Sequence, residues 1–102
     1  MENEILKNLS PISSWKNDSK TLTANTKTTL VSSDIPIRMV RVYSPTTNTG
    51  IIYAGSESLS ITNATLVLNP GIGVDISIDN LKKVFVIGSV TNDVAAFSYV
   101  LA

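Results

Sequence analysis

Asp75 and Asp79 are the two carboxylates whose spacing invites a catalytic reading, because they lie in the alternating run Val74-Asp75-Ile76-Ser77-Ile78-Asp79. On an extended strand they share a face, about 13 Å apart at ~3.3 Å per residue. Paired glycosidase carboxylates sit roughly 5 to 9.5 Å apart, so this pair fits a polar outer face better than an acid–base dyad. Asp79, Asn80, Asn92 and Asp93 offer the hard oxygen donors that calcium takes, from two separate loops, but without the ligand spacing of a calcium-binding loop. Trp15, Tyr43, Tyr53 and Tyr99 could stack on sugar rings if the fold gathered them on one surface; otherwise they are core or interface residues. Gly71-Ile72-Gly73 opens a strand rather than a helix, so it lacks the dipole and amides of a phosphate cradle. Asn8, Asn17 and Asn63 begin N-glycosylation patterns that read as coincidence in a polar sequence without a secretion signal.

There is no Cys and no His. Disulfides, thiol nucleophiles, tetrahedral zinc sites, an imidazole base and a Ser/His/Asp relay are thereby excluded, leaving carboxylate, lysine, tyrosine and hydroxyl groups. The expectation is a protein with no catalytic residues, no cofactor and no metal.

The elements that would carry these residues are strands. At 102 residues the chain is one domain. Hydrophobic residues make up 43% and charged residues 16%, a composition that folds but is thinly charged for an isolated domain. Eight Lys plus Arg balance eight Asp plus Glu, so no net field draws in nucleic acid. No stretch approaches the ~20 apolar residues that span a bilayer. Met1-Glu2-Asn3-Glu4 lacks the basic start of a secretion signal, and the reading is a protein made in a cytoplasm with no membrane partner.

Residues 1–19 are read as an N-terminal arm and residues 20–102 as the folded domain. Ile5, Leu9 and Ile12 fall at i, i+4 and i+7, a short helical face that Pro11 would end. A helix of two turns needs something to lie against: either its own domain or a neighbouring subunit. Residues 20–33, rich in Thr and Ser, predict one or two edge strands. Ile37 to Tyr43 predicts a strand whose adjacent Met39 and Val40 imply a bulge or burial on both faces. Ser44 to Gly50 is a turn by composition, predicting a hairpin with Ile51-Ile52-Tyr53. Leu66 to Ile87 is the best-patterned stretch and is read as two strands and two turns, the turns being Pro70-Gly71 and Asp79-Asn80. Val94 to Leu101 is apolar on both faces and is expected to be central. The whole predicts an all-β fold, an antiparallel jelly-roll-like or immunoglobulin-like β-sandwich of about seven to eight strands with a short N-terminal arm.

From Val42 onward, with the run from Tyr43 through Asn48-Thr49-Gly50 to Gly55, then Leu68-Asn69-Pro70-Gly71, then Ile76 through Asp79-Asn80-Leu81 to Gly88, the chain resembles small structural proteins of tailed bacteriophages. The likeness covers about 60 residues and rests on Asn48 and Gly50 in an Asn-Thr-Gly turn, Tyr53 and Gly55, Leu68, Pro70 and Gly71, then Asp79, Leu81, Val84 and Val86. Ile72 departs from the pattern, and residues 1–33 have no counterpart. The matching positions are turn and core residues, so the resemblance transfers no active site. It implies a virion component: a capsid decoration or head-fibre protein on the capsid exterior, assembled in the bacterial cytoplasm, self-associating as a dimer or trimer. Its partner would be the major capsid protein or another virion protein, and Ile5, Leu6, Leu9, Ile12 and Trp15 would be the anchors. The competing expectation is a tail or baseplate module that binds host-surface carbohydrate.

Overall fold

The computed structural model of the chain describes residues 15–102. They form eight strands: β1 (Trp15–Thr21), β2 (Thr28–Thr29), β3 (Ile37–Tyr43), β4 (Ile52–Gly55), β5 (Leu66–Leu68), β6 (Gly73–Ile76), β7 (Phe85–Gly88) and β8 (Val94–Leu101). They make two four-stranded sheets, ordered β1-β8-β3-β6 and β2-β7-β4-β5, and every pairing within them is antiparallel. The fold is an antiparallel β-sandwich.

Strand order separates the two topologies that composition left open. β1 pairs with β8, β2 with β7, β3 with β6 and β4 with β5. This nesting is that of one long hairpin rolled so that it closes as two sheets, the jelly-roll arrangement. In an immunoglobulin-like sandwich the first two strands would lie side by side in one sheet.

The period-2 alternation places Val40 and Val42 of β3 and Ala95 and Phe97 of β8 inside, facing Ile52 and Ala54 of β4, Leu68 of β5 and Val86 of β7. All of these side chains are buried. Leu22 and Leu81 come from connections rather than strands and close the core. Leu81 lies in a 3-10 turn (Leu81–Lys83) whose N-cap, Asn80, accepts through its side chain from the Lys82 amide. Asn80 Oδ1 also accepts from Ile35 N at 3.1 Å, and Leu81 N donates to Ile35 O at 3.0 Å. Leu81 is thereby pinned under the end of the sandwich that carries Pro36, called here the Pro36 end. Leu22 packs on Gly88, where a Cβ would come within 2.9 Å of Leu22 Cδ1 and force Leu22 to shift.

Several expectations hold. β8 is central, flanked by β1 and β3, and β3 slips register between Ile37 and Met39, the irregularity that adjacent Met39 and Val40 imply. β2 lies at a sheet edge.

Others are corrected. β3 and β4 are not a hairpin: they lie in different sheets, and residues 44–51 carry the chain across the sandwich. The stretch from Leu66 to Ile87 contributes three strands, β5, β6 and β7, spread over both sheets rather than two in sequence. Gly71, at φ +91°, makes the turn that sends the chain from one sheet to the other. β6 ends at Ile76, so Ile78 and Asp79 fall beyond it. β1 begins at Trp15, so residues 15–19 belong to an edge strand of the sheet although the sequence reading set them in the arm.

Candidate functional site

The connections at the end opposite Pro36 converge on three buried polar residues, Ser44, Asn48 and Asp93. Asn48 exchanges two hydrogen bonds with the backbone of Val94: Nδ2 donates to its carbonyl at 2.8 Å and Oδ1 accepts from its amide at 2.9 Å. The same Nδ2 donates to Ser44 Oγ at 3.0 Å. Asp93 accepts from Thr49 N at 3.1 Å through Oδ1 and from Gly50 N at 2.8 Å through Oδ2. A side chain at Gly50 would run into Ser89 and Val90. The cluster clamps the β3–β4 crossing onto the start of β8 and commits its polar atoms to backbone. Among the described residues no buried side-chain nitrogen or oxygen lacks a partner.

A second feature is the outer face of the β1-β8-β3-β6 sheet. Register puts Trp15, Val100 and Met39 in one row across it, with Arg41 and Asp75 on the same face. Arg41 Nε donates to Asp75 Oδ1 at 2.6 Å and Nη2 to Oδ2 at 3.1 Å, a bidentate pair between neighbouring strands. These hydrogen bonds hold the Asp75 carboxyl below the usual carboxylate range and push Arg41 up. The Arg41 guanidinium also lies 5.9 Å from the centroid of the Trp15 ring, within cation–π range. Trp15 therefore reaches across β8, and Val100 beneath this row is 9% exposed although it faces outward.

The third is a groove of about 540 Å³ at the Pro36 end, between Ser56-Glu57 and the 3-10 turn, within the roughly 300–1,000 Å³ of ligand sites. Ile78 and Phe85 are its apolar lining, and Lys82, Lys83, Asp34 and Glu57 are its charged groups. Lys27 lies over the Phe85 ring at 5.5 Å and donates to the Glu57 carbonyl, closing one side. Lys83 is held by Asp79 at 2.9 Å, a hydrogen bond that keeps the Asp79 carboxyl low. Lys82, Asp34 and Glu57 make no ion pair among the described residues.

The residues singled out from sequence are scattered. Asp75 and Asp79 each hold a basic partner and not one another. Asp79 lies beside Ile37, at the start of β3, and Asp93 lies beyond its far end; the strand between them puts about 20 Å between the two candidate calcium loops. No group of three or more His, Cys, Asp or Glu that could hold a metal occurs among the described residues. Tyr43 and Tyr53 face outward from opposite sheets, and Tyr99 stacks on Phe97 at 6.1 Å on the inner side, so the aromatics form no common platform. Asn17 accepts from Ser98 Oγ and Asn63 caps its own turn by accepting from Ser60 N, which gives two of the sequon asparagines structural duties. Ile5, Leu6, Leu9 and Ile12 lie outside the described residues; Trp15, the fifth anchor, is in β1.

Sequence reasoning missed the Asn48 cluster and the groove. Asn48-Thr49-Gly50 was visible as a turn, but nothing local marks its asparagine as buried. Ile78 and Phe85 were visible as apolar positions flanking Asn80, without any sign that a groove opens between them.

No protein-family model matches the chain, and no curated protein matches it. Among solved structures, a chain from Bacillus endospore appendages, which form a novel family of disulfide-linked pili, matches with a TM-score of 0.46 and 14% identity, over 86% of this chain and 86% of its own. At that distance the likeness carries no functional weight, and this sequence has no cysteine with which to form a disulfide.

Proposed function

We propose that this chain is a non-enzymatic structural subunit of a tailed-bacteriophage particle. It decorates the capsid exterior or forms part of a head fibre, associates with its own copies as a dimer or trimer, and is assembled in the bacterial cytoplasm. The observation that supports this most is the seating of Trp15. It is in register with Val100 and beneath Arg41, so the segment bearing Ile5, Leu6, Leu9 and Ile12 joins the sandwich at a defined point, the Pro36 end of β1. A contact made through that segment is passed to the sandwich through β1. Asp93, Asp75 and Arg41 are engaged in holding loops and strands. The partner is the major capsid protein or another virion protein.

The test combines mass with location. Light scattering of the purified chain gives the assembly size, and the chain is then mixed with capsids that lack it. Binding that is lost on replacing Leu9 and Ile12 with Asp supports the reading. Failure to bind heads, with binding instead to tails or to cell-surface glycans, overturns it.

A further inference from the structure

We propose that the groove at the Pro36 end is the receptor for residues 2–7 of a second copy of this chain, a reading that rests on the structural role proposed above and names the contact through which copies join. The groove asks for apolar side chains between charges of both signs. Ile78 and Phe85 form its lining, Lys82 is a cation without an ion-pair partner among the described residues, and Asp34 and Glu57 are carboxylates in the same position. Residues 2–7 read Glu2-Asn3-Glu4-Ile5-Leu6-Lys7, acidic, then apolar, then basic. Glu2 and Glu4 complement Lys82, Ile5 and Leu6 meet Ile78 and Phe85, and Lys7 complements Asp34 or Glu57. Complementary charge beside an apolar pair favours such a segment over one of like charge.

The occupant is a second copy because of where the chain enters the sandwich. β1 starts at the Pro36 end with Trp15, so residues 2–7 are joined to the sandwich through that end. β1 is also at the edge of its sheet away from β6, while Ile78 follows β6 at the other edge. Reaching its own groove would require reversing around the end of the sandwich. Eight residues, from Lys7 to Ser14, span up to about 27 Å, enough to bridge to the groove of a neighbour that abuts the same end.

The experiment uses the full chain and follows mass against concentration by sedimentation. The wild type is expected to self-associate, and Lys82→Glu to weaken that association about tenfold by placing like charges together. Glu4→Lys added to Lys82→Glu should restore most of it, a recovery that a folding defect cannot mimic. Ile5→Asp with Leu6→Asp should abolish association while the far-ultraviolet spectrum is unchanged. A chain that is monomeric throughout, or whose association ignores Lys82→Glu, overturns the groove assignment. Capsid binding in the Lys82→Glu variant keeps the two proposals apart: unchanged association with retained capsid binding sinks the groove alone, and charge-responsive association without capsid binding sinks the virion role alone.

Discussion

Replacing Asn48 with Ala removes three hydrogen bonds while leaving the hydrophobic core untouched. The Val94 carbonyl and amide and the Ser44 hydroxyl lose their partner together, and Ser44 is fully buried. A buried polar group left unpaired costs about 1–3 kcal/mol, so three of them, one pair partly reachable by water, should cost about 3–4 kcal/mol. Domains of this size are stable by roughly 5–15 kcal/mol, which makes this a large fraction. At about 4–8 °C per kcal/mol the melting temperature should fall by about 15–25 °C. Urea unfolding followed by Trp15 fluorescence and by circular dichroism measures it, and an unchanged m-value would show that the change is in stability rather than compactness. Asn48→Asp sharpens the test. Without Nδ2 an ionised carboxylate would face the Val94 carbonyl, so its folded-state pKa would rise above the ordinary ~3.9. The sign then follows: below about pH 4 both states are protonated and the penalty is small, and the penalty grows as pH climbs toward the raised value. An Asn48→Ala cost under about 1 kcal/mol would show that water replaces these bonds and that the cluster does not clamp the crossing.

Leu81→Ala should destabilise by about 2–5 kcal/mol, since Leu81 is fully buried and held by a 3-10 turn that cannot collapse into the space; thermal unfolding reads it. Gly88→Ala forces a Cβ to within 2.9 Å of Leu22 Cδ1 and should cost about 1–3 kcal/mol in urea unfolding, relieved in part by Leu22→Ala in the same chain. Asp75 and Asp79 have folded-state pKa values below their unfolded ones, so their stabilisation is present above the unfolded value and is lost as pH falls through the folded value. Urea midpoints should therefore decline on acidification from about pH 5 to pH 2, with Asp75→Asn flattening part of that slope and salt shrinking it.

Strand existence was legible because burial and alternation are the same fact seen twice: Val40, Val42, Ala95 and Phe97 are apolar because the strands bearing them face a core. The irregularity in β3 was legible for a similar reason, since Met39 and Val40 cannot both face inward on a regular strand. Sheet membership was not. Ser44 to Gly50 says where the chain turns, and the same residue types serve a hairpin or a crossing between sheets. What decides is Asn48 reaching Val94, 46 positions away. Ile78 misled because its alternation with Ile76 continues past the end of β6: it packs on the core from a connection, without strand pairing. Asn48 and Asp93 were hidden because a polar residue in a turn reads as exposed until the backbone groups that surround it are known.

Edge chemistry bears on how copies can join. By register, Lys16, Asp18 and Lys20 of β1 lie opposite Tyr99, Phe97 and Ala95, on the inward side of an edge strand. Charges turned inward on an edge oppose the addition of a further strand, because a second sheet laid there would desolvate them. The other edges are β2, β5 and β6, of two, three and four residues, and offer few free backbone groups. Growth by strand addition is therefore disfavoured on every edge, whereas a side-chain groove with mixed charge remains open at the Pro36 end. The two routes differ in salt response: backbone pairing is nearly indifferent to ionic strength, but a contact between Lys82 and Glu4 weakens as salt screens it. Self-association that persists unchanged from low salt to about 0.5 M would refute the groove route and return the edges to consideration.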